Sequence, residues 1–223
     1  MAIYAMSDWH LPLGVNKPMD VFGGNWQGYV EKIEESVSQL RDDDYIIMNG
    51  DFSWAMHMKE SRPDFEFLGR LPGIKLMSKG NHDFWWESKA KFSAFMEELG
   101  LCNVHFLQNN AFDCGDWVVC ASRGWISPSD KEFKESDMTI YKRELLRLEM
   151  ALKEGEQLGK PIIAALHYPP DDGFIDLLSG YRVYTCVFGH LHGQAARMYR
   201  PKALNCHLVS ADYLNFKPLK IAD

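Results

Sequence analysis

Apolar and polar positions along the chain alternate between the spacing of strands and the spacing of helices. Apolar runs at residues 2–6, 45–48 and 74–77 predict strands, and apolar residues at helical spacing predict helices over 26–41 and 64–71. Turn-forming residues separate these segments, so the first third of the chain is predicted to alternate strands with helices.

The rest of the chain is richer in strands. Helices are predicted over 87–99 and 137–158, and residues 195–200 and 204–210 are expected to pair as antiparallel strands. Alternating elements that give way to β-rich stretches predict an α/β layered fold with mixed sheets. No linker or repeat interrupts them, so we expect one domain over residues 1–223. Further strands are predicted at residues 104–107, 111–114, 117–122, 162–166 and 183–188.

The composition is that of a protein with a full apolar core. The 223 residues are 46% hydrophobic, yet no window approaches the ~18–20 uninterrupted apolar residues that a membrane span needs. The N-terminal residues have no basic start and no signal-like apolar stretch, and the five cysteines show no CxxC spacing. We therefore expect a cytoplasmic protein with reduced thiols and no membrane partner.

The charge of the chain bears on its partners. The formal net charge is −7, and no cluster of lysine and arginine stands out in the sequence. Proteins that bind long DNA or RNA usually carry a basic stripe, so the charge balance argues weakly against nucleic acid as the partner. The oligomeric state stays open.

Side chains that bind metals follow five of the strand-like runs. Ligands of α/β sheets sit beyond the carboxyl ends of the strands, which is where these side chains fall. Gly50, Gly80 and Gly189 each precede a candidate ligand, and we expect each to allow a sharp turn there. The five segments together predict a two-metal site, and sites of this kind most often catalyse displacement at phosphorus. The segments are Asp8-Trp9-His10, Gly50-Asp51, Gly80-Asn81-His82-Asp83, His167 and Gly189-His190-Leu191-His192.

The types and spacing of these residues indicate how two ions would be held. Asp8 and His10 are two residues apart, so on an extended segment both can reach one ion, and His190 and His192 share this spacing. The Asp51 carboxylate has two oxygens and could bridge ions about 3.5–4 Å apart. Nitrogen and oxygen donors without a thiolate suit Mn, Fe, Zn, Co or Ni better than Cu(I) or Ca. A water between the ions would lose a proton near neutral pH and become the nucleophile.

The order Asp-x-His, Gly-Asp, Gly-Asn-His-Asp, His and Gly-His-x-His resembles the signature of the calcineurin-like metallophosphoesterases, and the resemblance spans residues 8–192. It implies a four-layer α/β/β/α sandwich with two mixed sheets. It also implies that His82 protonates the leaving group of the substrate, a task suited to an imidazole. The implied ligand sets are Asp8, His10, Asp51 and His192 for one metal, and Asp51, Asn81, His167 and His190 for the other, with Asp51 as the bridge.

The chain departs from the family pattern at one position. Many members read Gly-Asp-x-x-Asp, and in the protein-phosphatase branch the second Asp orients the acid histidine. Here Trp54 stands at that position, and whether Asp83 replaces the missing carboxylate is left open. The further motifs of the protein Ser/Thr phosphatase branch are also missing, which argues against a phosphoprotein substrate.

Two residues are candidates for substrate contacts. Arg123 follows a predicted strand and could clamp a phosphate with its guanidinium, although a surface arginine is nearly as well supported. Trp54 is one of several aromatic residues beside the motifs. These aromatic residues either pack the core and rim or form a stacking platform for a nucleobase or another planar leaving group.

We therefore expect metal-dependent hydrolysis of a small phosphodiester or phosphomonoester, nucleotides included, with two divalent or trivalent ions, Mn, Fe or Zn before others. One alternative is a DNA or RNA nuclease of the same family, which would need a basic track or a capping domain. The other is a catalytically silent scaffold with the same fold, against which the complete ligand set and His82 both weigh.

Overall fold

Two five-stranded sheets form the centre of the computed structural model, which describes residues 1–199 and 205–223. Four strands of the first sheet are parallel, and the fifth, at one edge, runs antiparallel to its neighbour. The strands are β1 (Ile3–Ala5), β2 (Tyr45–Met48), β3 (Ile74–Met77), β4 (Val104–Phe106) and β10 (Leu219–Ala222), in the spatial order β10-β1-β2-β3-β4.

The second sheet repeats this plan. Its edge strand β5 is antiparallel to β6, and the other neighbours are parallel. Both sheets are therefore mixed, as the sequence predicts. The strands are β5 (Ala111–Cys114), β6 (Trp117–Ser122), β7 (Ile162–Leu166), β8 (Val183–Phe188) and β9 (Cys206–Leu208), in the spatial order β5-β6-β7-β8-β9.

Helices cover the outer face of each sheet. The described residues form three apolar cores. One lies between the sheets and contains Ile47 and Ile163; the others lie under the two helical layers and contain Ile33 and Leu148 respectively. This arrangement confirms the four-layer α/β/β/α sandwich. No helix of the described residues is long and apolar enough to cross a membrane. The helices are α1 (Tyr29–Val37), α2 (Arg62–Arg70), α3 (Lys89–Glu98), α4 (Asp137–Gln157), α5 (Asp172–Ser179) and α6 (Gly193–Met198).

The predicted closing pair of antiparallel strands is wrong. Residues 193–198 form helix α6, and β9 pairs with β8 in parallel, with Cys206 opposite Cys186. The run Gly-Gln-Ala-Ala-Arg-Met is too short to show a helical period, although its alanines favour a helix. Residues 200 and 204, at the ends of the predicted strands, lie outside the described residues.

Two elements are absent from the sequence prediction. Helix α5 begins after Asp171, whose side chain accepts a hydrogen bond from Phe174 N at 3.2 Å and so caps the helix. Strand β10 lies at the edge of the first sheet beside β1. Helix α1 also starts later than predicted, because a 3-10 turn occupies Gly24–Trp26.

The carboxyl ends of the two sheets meet at one edge of the sandwich. Ser7, just after β1, donates its backbone N–H to Val209 O at 2.9 Å, and Ala211 N donates to Ser7 O at 2.9 Å. These bonds tie the first sheet to the end of β9 in the second. The loops that carry the candidate ligands therefore come together from both sheets.

Candidate metal centre

Backbone hydrogen bonds hold the loops that carry the seven candidate ligands against one another. Asp8 N donates to Gly50 O, and His10 N donates to Asp51 O, both at 3.0 Å. In the second sheet, Gly189 N donates to His167 O at 3.0 Å. These hydrogen bonds between the loops hold the backbone of the ligand residues in place.

Four of these seven residues adopt a backbone conformation that side chains seldom tolerate. The φ angles are 58° at Asp8, 47° at His10, 53° at Asp51 and 69° at His190, all in the left-handed region. Each such residue costs of the order of 1 kcal/mol or more, and such strain clusters at functional sites. The surrounding loops therefore hold the side chains where local preference would not place them.

The glycines next to the ligands act in two ways. Gly50 has a φ of 111° and provides the sharp turn that the sequence predicts. Gly80 and Gly189 do not have positive φ angles; they make room instead. A side chain at Gly80 would collide with the carboxylate of Asp51, and one at Gly189 with the carboxylate of Asp8. At these two positions the prediction of a sharp turn is wrong. The glycine instead allows the backbone to approach a ligand side chain closely.

The first group of ligand atoms comes from Asp8, His10 and His192. One atom from each residue lies within 4.8 Å of the other two. Nε2 of His10 is 3.3 Å from Nε2 of His192, which in turn is 3.5 Å from Oδ1 of Asp8. Two nitrogens and a carboxylate oxygen converge as the donors of one cation would.

The second group lies beside the first. Ligand atoms of Asp8, Asp51 and His167 also lie within 4.8 Å of one another. The amide oxygen Oδ1 of Asn81 is 2.6 Å from Nε2 of His167 and 2.8 Å from Nδ1 of His190. The side chains that the family resemblance assigns to a second metal are therefore close together.

Asp51 lies between the two groups. Its Oδ1 accepts a hydrogen bond from the backbone N–H of His82 at 2.7 Å, which fixes the carboxylate. Its Oδ2 is 3.8 Å from Nε2 of His10 and 3.5 Å from Nε2 of His167. One oxygen thus faces a nitrogen of each group, as a bridging ligand would. Asp8 is also shared, since its carboxylate belongs to both groups.

Two of the histidines are held from behind by a second partner. Nδ1 of His192 is 2.8 Å from Oδ1 of Asp212, and Nδ1 of His167 is 3.1 Å from the carbonyl oxygen of Asn49. Metal-binding histidines usually donate the other ring N–H in this way, which fixes the ring and the tautomer. Asp212 is absent from the sequence-based set of candidates, although it follows a strand-like run as they do.

Burial sets the protonation of the site. It lowers the pKa of His167 to about 3 and that of His190 to about 4, so that both imidazoles are neutral and have a lone pair to offer. Burial, with the carboxylates of Asp83 and Asp8, raises the pKa of Asp51 well above its usual range. For His192 burial lowers the pKa, but hydrogen bonds to Asp212 and Asp8 outweigh it and raise the pKa to about 10.

The donor set fits two metal ions. The imidazoles of His167 and His190, which burial keeps neutral, lie beside the amide oxygen of Asn81 and the buried carboxylates of Asp8 and Asp51. Burial and the neighbouring carboxylates raise the pKa of Asp51, and a bound cation would favour its charged form. The glycines that leave room for Asp8 and Asp51 belong to the same arrangement.

His82 packs beside this centre without a hydrogen-bonding carboxylate. Its ring lies 5.7 Å from that of His10 and 4.8 Å from that of Trp54, between ring centres. Trp54 itself stacks on His10 at 4.6 Å, with the ammonium of Lys17 3.8 Å above the indole. Within residues 1–199 and 205–223, no side chain hydrogen-bonds to the His82 imidazole. The residue that stands in place of the family's Asp therefore holds His82 by packing.

Asp83 does not orient His82. Its side chain is fully buried and turned away, where it accepts hydrogen bonds from the backbone of Gly80, Asp51 and Phe52 at 2.7–3.0 Å. A fourth bond at 3.0 Å comes from the indole N–H of Trp85. Asp83 thus ties the loop after β2 to the loop after β3. It has a structural role and does not replace the carboxylate that is missing at position 54.

A cavity of about 520 Å³ opens over the centre. Trp26, which is absent from the sequence-based set, lines it together with Trp54. The exposed Phe22 stands at the same wall, 69% accessible. The remaining wall includes His10, Asp51, His82, His190, His192 and Asp212.

Arg123 lies outside this cavity. Its backbone oxygen accepts hydrogen bonds from His167 N and Tyr168 N, both at 3.0 Å, but its guanidinium stacks 4.2 Å above the ring of Trp125. The side chain lines a different, neighbouring cavity. The two candidate substrate residues thus line different cavities, with Trp54 in the cavity over the candidate ligands and Arg123 in the other.

Of the comparisons with known proteins, the family model is the one that bears on the identity of the site. No curated protein matches the chain significantly. A protein of unknown function from Aquifex aeolicus is similar in structure over 98% of this chain and 95% of its own, at 16% identity and a TM-score of 0.47. The family model described as calcineurin-like phosphoesterase matches residues 1–194. That match spans all seven candidate ligands and His82, and the chain therefore belongs to the calcineurin-like phosphoesterase family.

Proposed function

We propose that the protein hydrolyses a small phosphodiester or phosphomonoester with the help of two metal ions, Mn, Fe or Zn before others. The observation that carries the proposal is the convergence of Asp8, His10, Asp51, His167 and His192 into two adjoining groups of ligand atoms. Asn81 and His190 complete the second group. His82 stands at the wall of the cavity above these groups.

Each part of the site has a task in this reaction. Metal ions held by these residues would lower the pKa of a coordinated water and offset charge on the phosphoryl oxygens. His82 would donate a proton from its imidazole to the leaving oxygen, and Trp54, packed against it, would keep that ring in place. Asp212 and Asn49 would fix the tautomers of the histidines that they contact.

The shape of the cavity favours a small substrate. Its volume of about 520 Å³ is in the range of sites for small organic ligands. Trp26, Trp54 and Phe22 offer apolar or aromatic surface to a leaving group such as a nucleoside. We therefore place nucleotides and cyclic nucleotides among the candidate substrates.

The role of His82 is tested by comparing good and poor leaving groups in His82→Ala. Reconstituted with Mn²⁺, this variant should hydrolyse an alkyl phosphoester about 10²–10⁴ times more slowly than wild type. Its rate of hydrolysis of bis-p-nitrophenyl phosphate should fall much less, because p-nitrophenolate leaves with little need of protonation. Its metal content, measured by atomic emission, should equal that of wild type.

The exposed His57 provides a matched control, because it lies outside the cavity and His57→Ala removes the same ring. Full activity of His82→Ala on the alkyl ester would show that the acid role is misassigned. Hydrolysis of p-nitrophenyl phosphate, bis-p-nitrophenyl phosphate and 2′,3′-cyclic AMP, compared in wild type, separates a monoesterase from a diesterase. No turnover of any of them with Mn, Ni, Zn or Mg, in protein that binds the metal, would contradict the proposed function.

We further propose that the protein works in the cytoplasm. All five cysteines are unpaired, and three of them, Cys114, Cys120 and Cys186, are buried. Free thiols persist in reducing compartments. Cell fractionation with detection of the tagged chain tests this, and recovery with secreted or periplasmic proteins would contradict it.

A further inference from the structure

A second cavity, of about 320 Å³, is lined in part by residues that follow β3 and β6. None of the described residues lines both this cavity and the cavity over the metal ligands. Four cationic side chains line it: Lys79 after β3, Arg123 after β6, and Arg143 and Arg147 on α4. We call it the basic cavity.

A single buried carboxylate organises the arginines of the basic cavity. Glu144 is 1% exposed; it accepts hydrogen bonds from Arg147 Nη1 at 2.7 Å and from Ser122 Oγ at 3.0 Å. The guanidiniums of Arg143 and Arg123 approach the same carboxylate at 3.7 and 3.9 Å. One negative charge therefore faces three positive ones, and it holds them in place without neutralising them.

The other polar side chains of the basic cavity add to its excess of positive charge. Glu87 also lines the basic cavity, but its carboxylate pairs with Lys91 at 3.1 Å. Lys79 is partly buried, and its ammonium has neither an ion-pair nor a hydrogen-bond partner among residues 1–199 and 205–223. The indole N–H of Trp86, which also lines the cavity and is only 9% exposed, is likewise unpartnered there. Among the described residues that line the basic cavity, cationic side chains thus outnumber carboxylates by four to two.

We propose that the basic cavity binds a phosphate dianion, either inorganic phosphate or the phosphate group of a small monoester. Guanidinium groups match phosphate oxygens with two parallel hydrogen bonds, and an ammonium and an indole N–H can bind the remaining oxygens. A volume near 320 Å³ is at the small end of ligand cavities, and admits a phosphate with a modest substituent. This site does not depend on the proposed hydrolysis, because no metal ligand lines it.

The position of the site connects it to the metal centre through the backbone. Lys79 is two residues before Asn81, and the carbonyl of Arg123 holds the backbone N–H of His167. An anion held by these two side chains would therefore contact segments that are joined through the backbone to two candidate ligands. Binding has to be measured without metal, so that phosphate at the metal centre does not contribute.

The test is calorimetric titration of chelator-treated protein with inorganic phosphate and with phenyl phosphate, at constant ionic strength set with chloride. Arg143→Gln removes a half-exposed guanidinium that is not in hydrogen-bonding contact with Glu144, so the fold should tolerate it. We expect this variant to bind phosphate about ten-fold more weakly than wild type. Lys79→Gln should weaken binding to a similar degree.

Two controls separate the basic cavity from other sources of binding. Arg70→Gln removes the same charge from α2, outside the cavity, and should leave the affinity unchanged. Asp51→Asn, at the metal centre, should also leave it unchanged. Comparison of the affinities for inorganic phosphate and phenyl phosphate shows whether the site prefers free phosphate or a monoester. Equal binding by wild type, Arg143→Gln and Lys79→Gln would overturn the proposal, and so would loss of binding in Asp51→Asn.

Discussion

The buried carboxylate of Asp83 gives the sharpest prediction of how the loops around the metal centre are held. Its Oδ2 accepts from Gly80 N at 2.7 Å and from Asp51 N at 2.8 Å. Its Oδ1 accepts from Phe52 N and from Trp85 Nε1, both at 3.0 Å. Each oxygen therefore serves two donors, and none of the four bonds involves His82.

Asp83→Asn keeps the shape of the side chain and removes half of its acceptors. Whichever way the amide is turned, its NH₂ group meets two of the four donors, so two hydrogen bonds are lost and two buried N–H groups are left without a partner. At about 1–3 kcal/mol for each such group, the free energy of unfolding should fall by about 2–6 kcal/mol. That is a large part of the roughly 5–15 kcal/mol that stabilises a typical domain.

Urea unfolding of chelator-treated protein measures this change without a contribution from bound metal. Asp116→Asn, an exposed position, is the matched control and should change the free energy of unfolding by less than about 0.5 kcal/mol. A loss below about 1 kcal/mol in Asp83→Asn would refute the reasoning, because it would mean that the four donors find other partners or were never dependent on Asp83.

Two further predictions concern other buried charges. Burial lowers the pKa of Lys75 to about 8 from its ordinary 10.5. As the pH rises, the folded state therefore loses this proton before the unfolded state does. The free energy of unfolding should increase by up to about 3 kcal/mol between pH 8 and pH 10.5. Urea unfolding across that range should show the increase in wild type and not in Lys75→Met, and a parallel response of the two proteins would contradict it. Asp212→Asn removes the charge behind His192 and should weaken Mn²⁺ binding about 10–100-fold in calorimetry. An unchanged affinity would show that Asp212 does not support this ligand.

The ligand loops were predictable because their signal is local. A polar side chain directly after an apolar run marks the end of a strand, and the carboxyl ends of parallel strands share one edge of a sheet. Asp8, Asp51 and His167 follow this rule, and the structure brings them together. The four-layer sandwich and the division of the ligands into two sets came from the family resemblance, since strand order depends on contacts between distant segments.

What the sequence did not reveal depends on such distant contacts. Asp212 supports His192, twenty residues earlier, and no local pattern in the sequence connects the two residues. The inward turn of Asp83 and the packing of Trp54 on His10 are set by loops that meet in three dimensions. The basic cavity likewise joins α4 to loops of both sheets, so its charges are scattered in the sequence.

Metal titration of chelator-treated protein, with hydrolysis of bis-p-nitrophenyl phosphate followed in parallel, tests the two-metal centre most directly. We expect wild type to bind two Mn²⁺ ions per chain and to regain activity as the second ion binds. Asp51→Asn, which lacks the charge between the two groups of ligand atoms, should bind at most one tightly and stay inactive. Binding of fewer than two ions by wild type, or hydrolysis that persists after chelation, would contradict a dinuclear phosphoesterase.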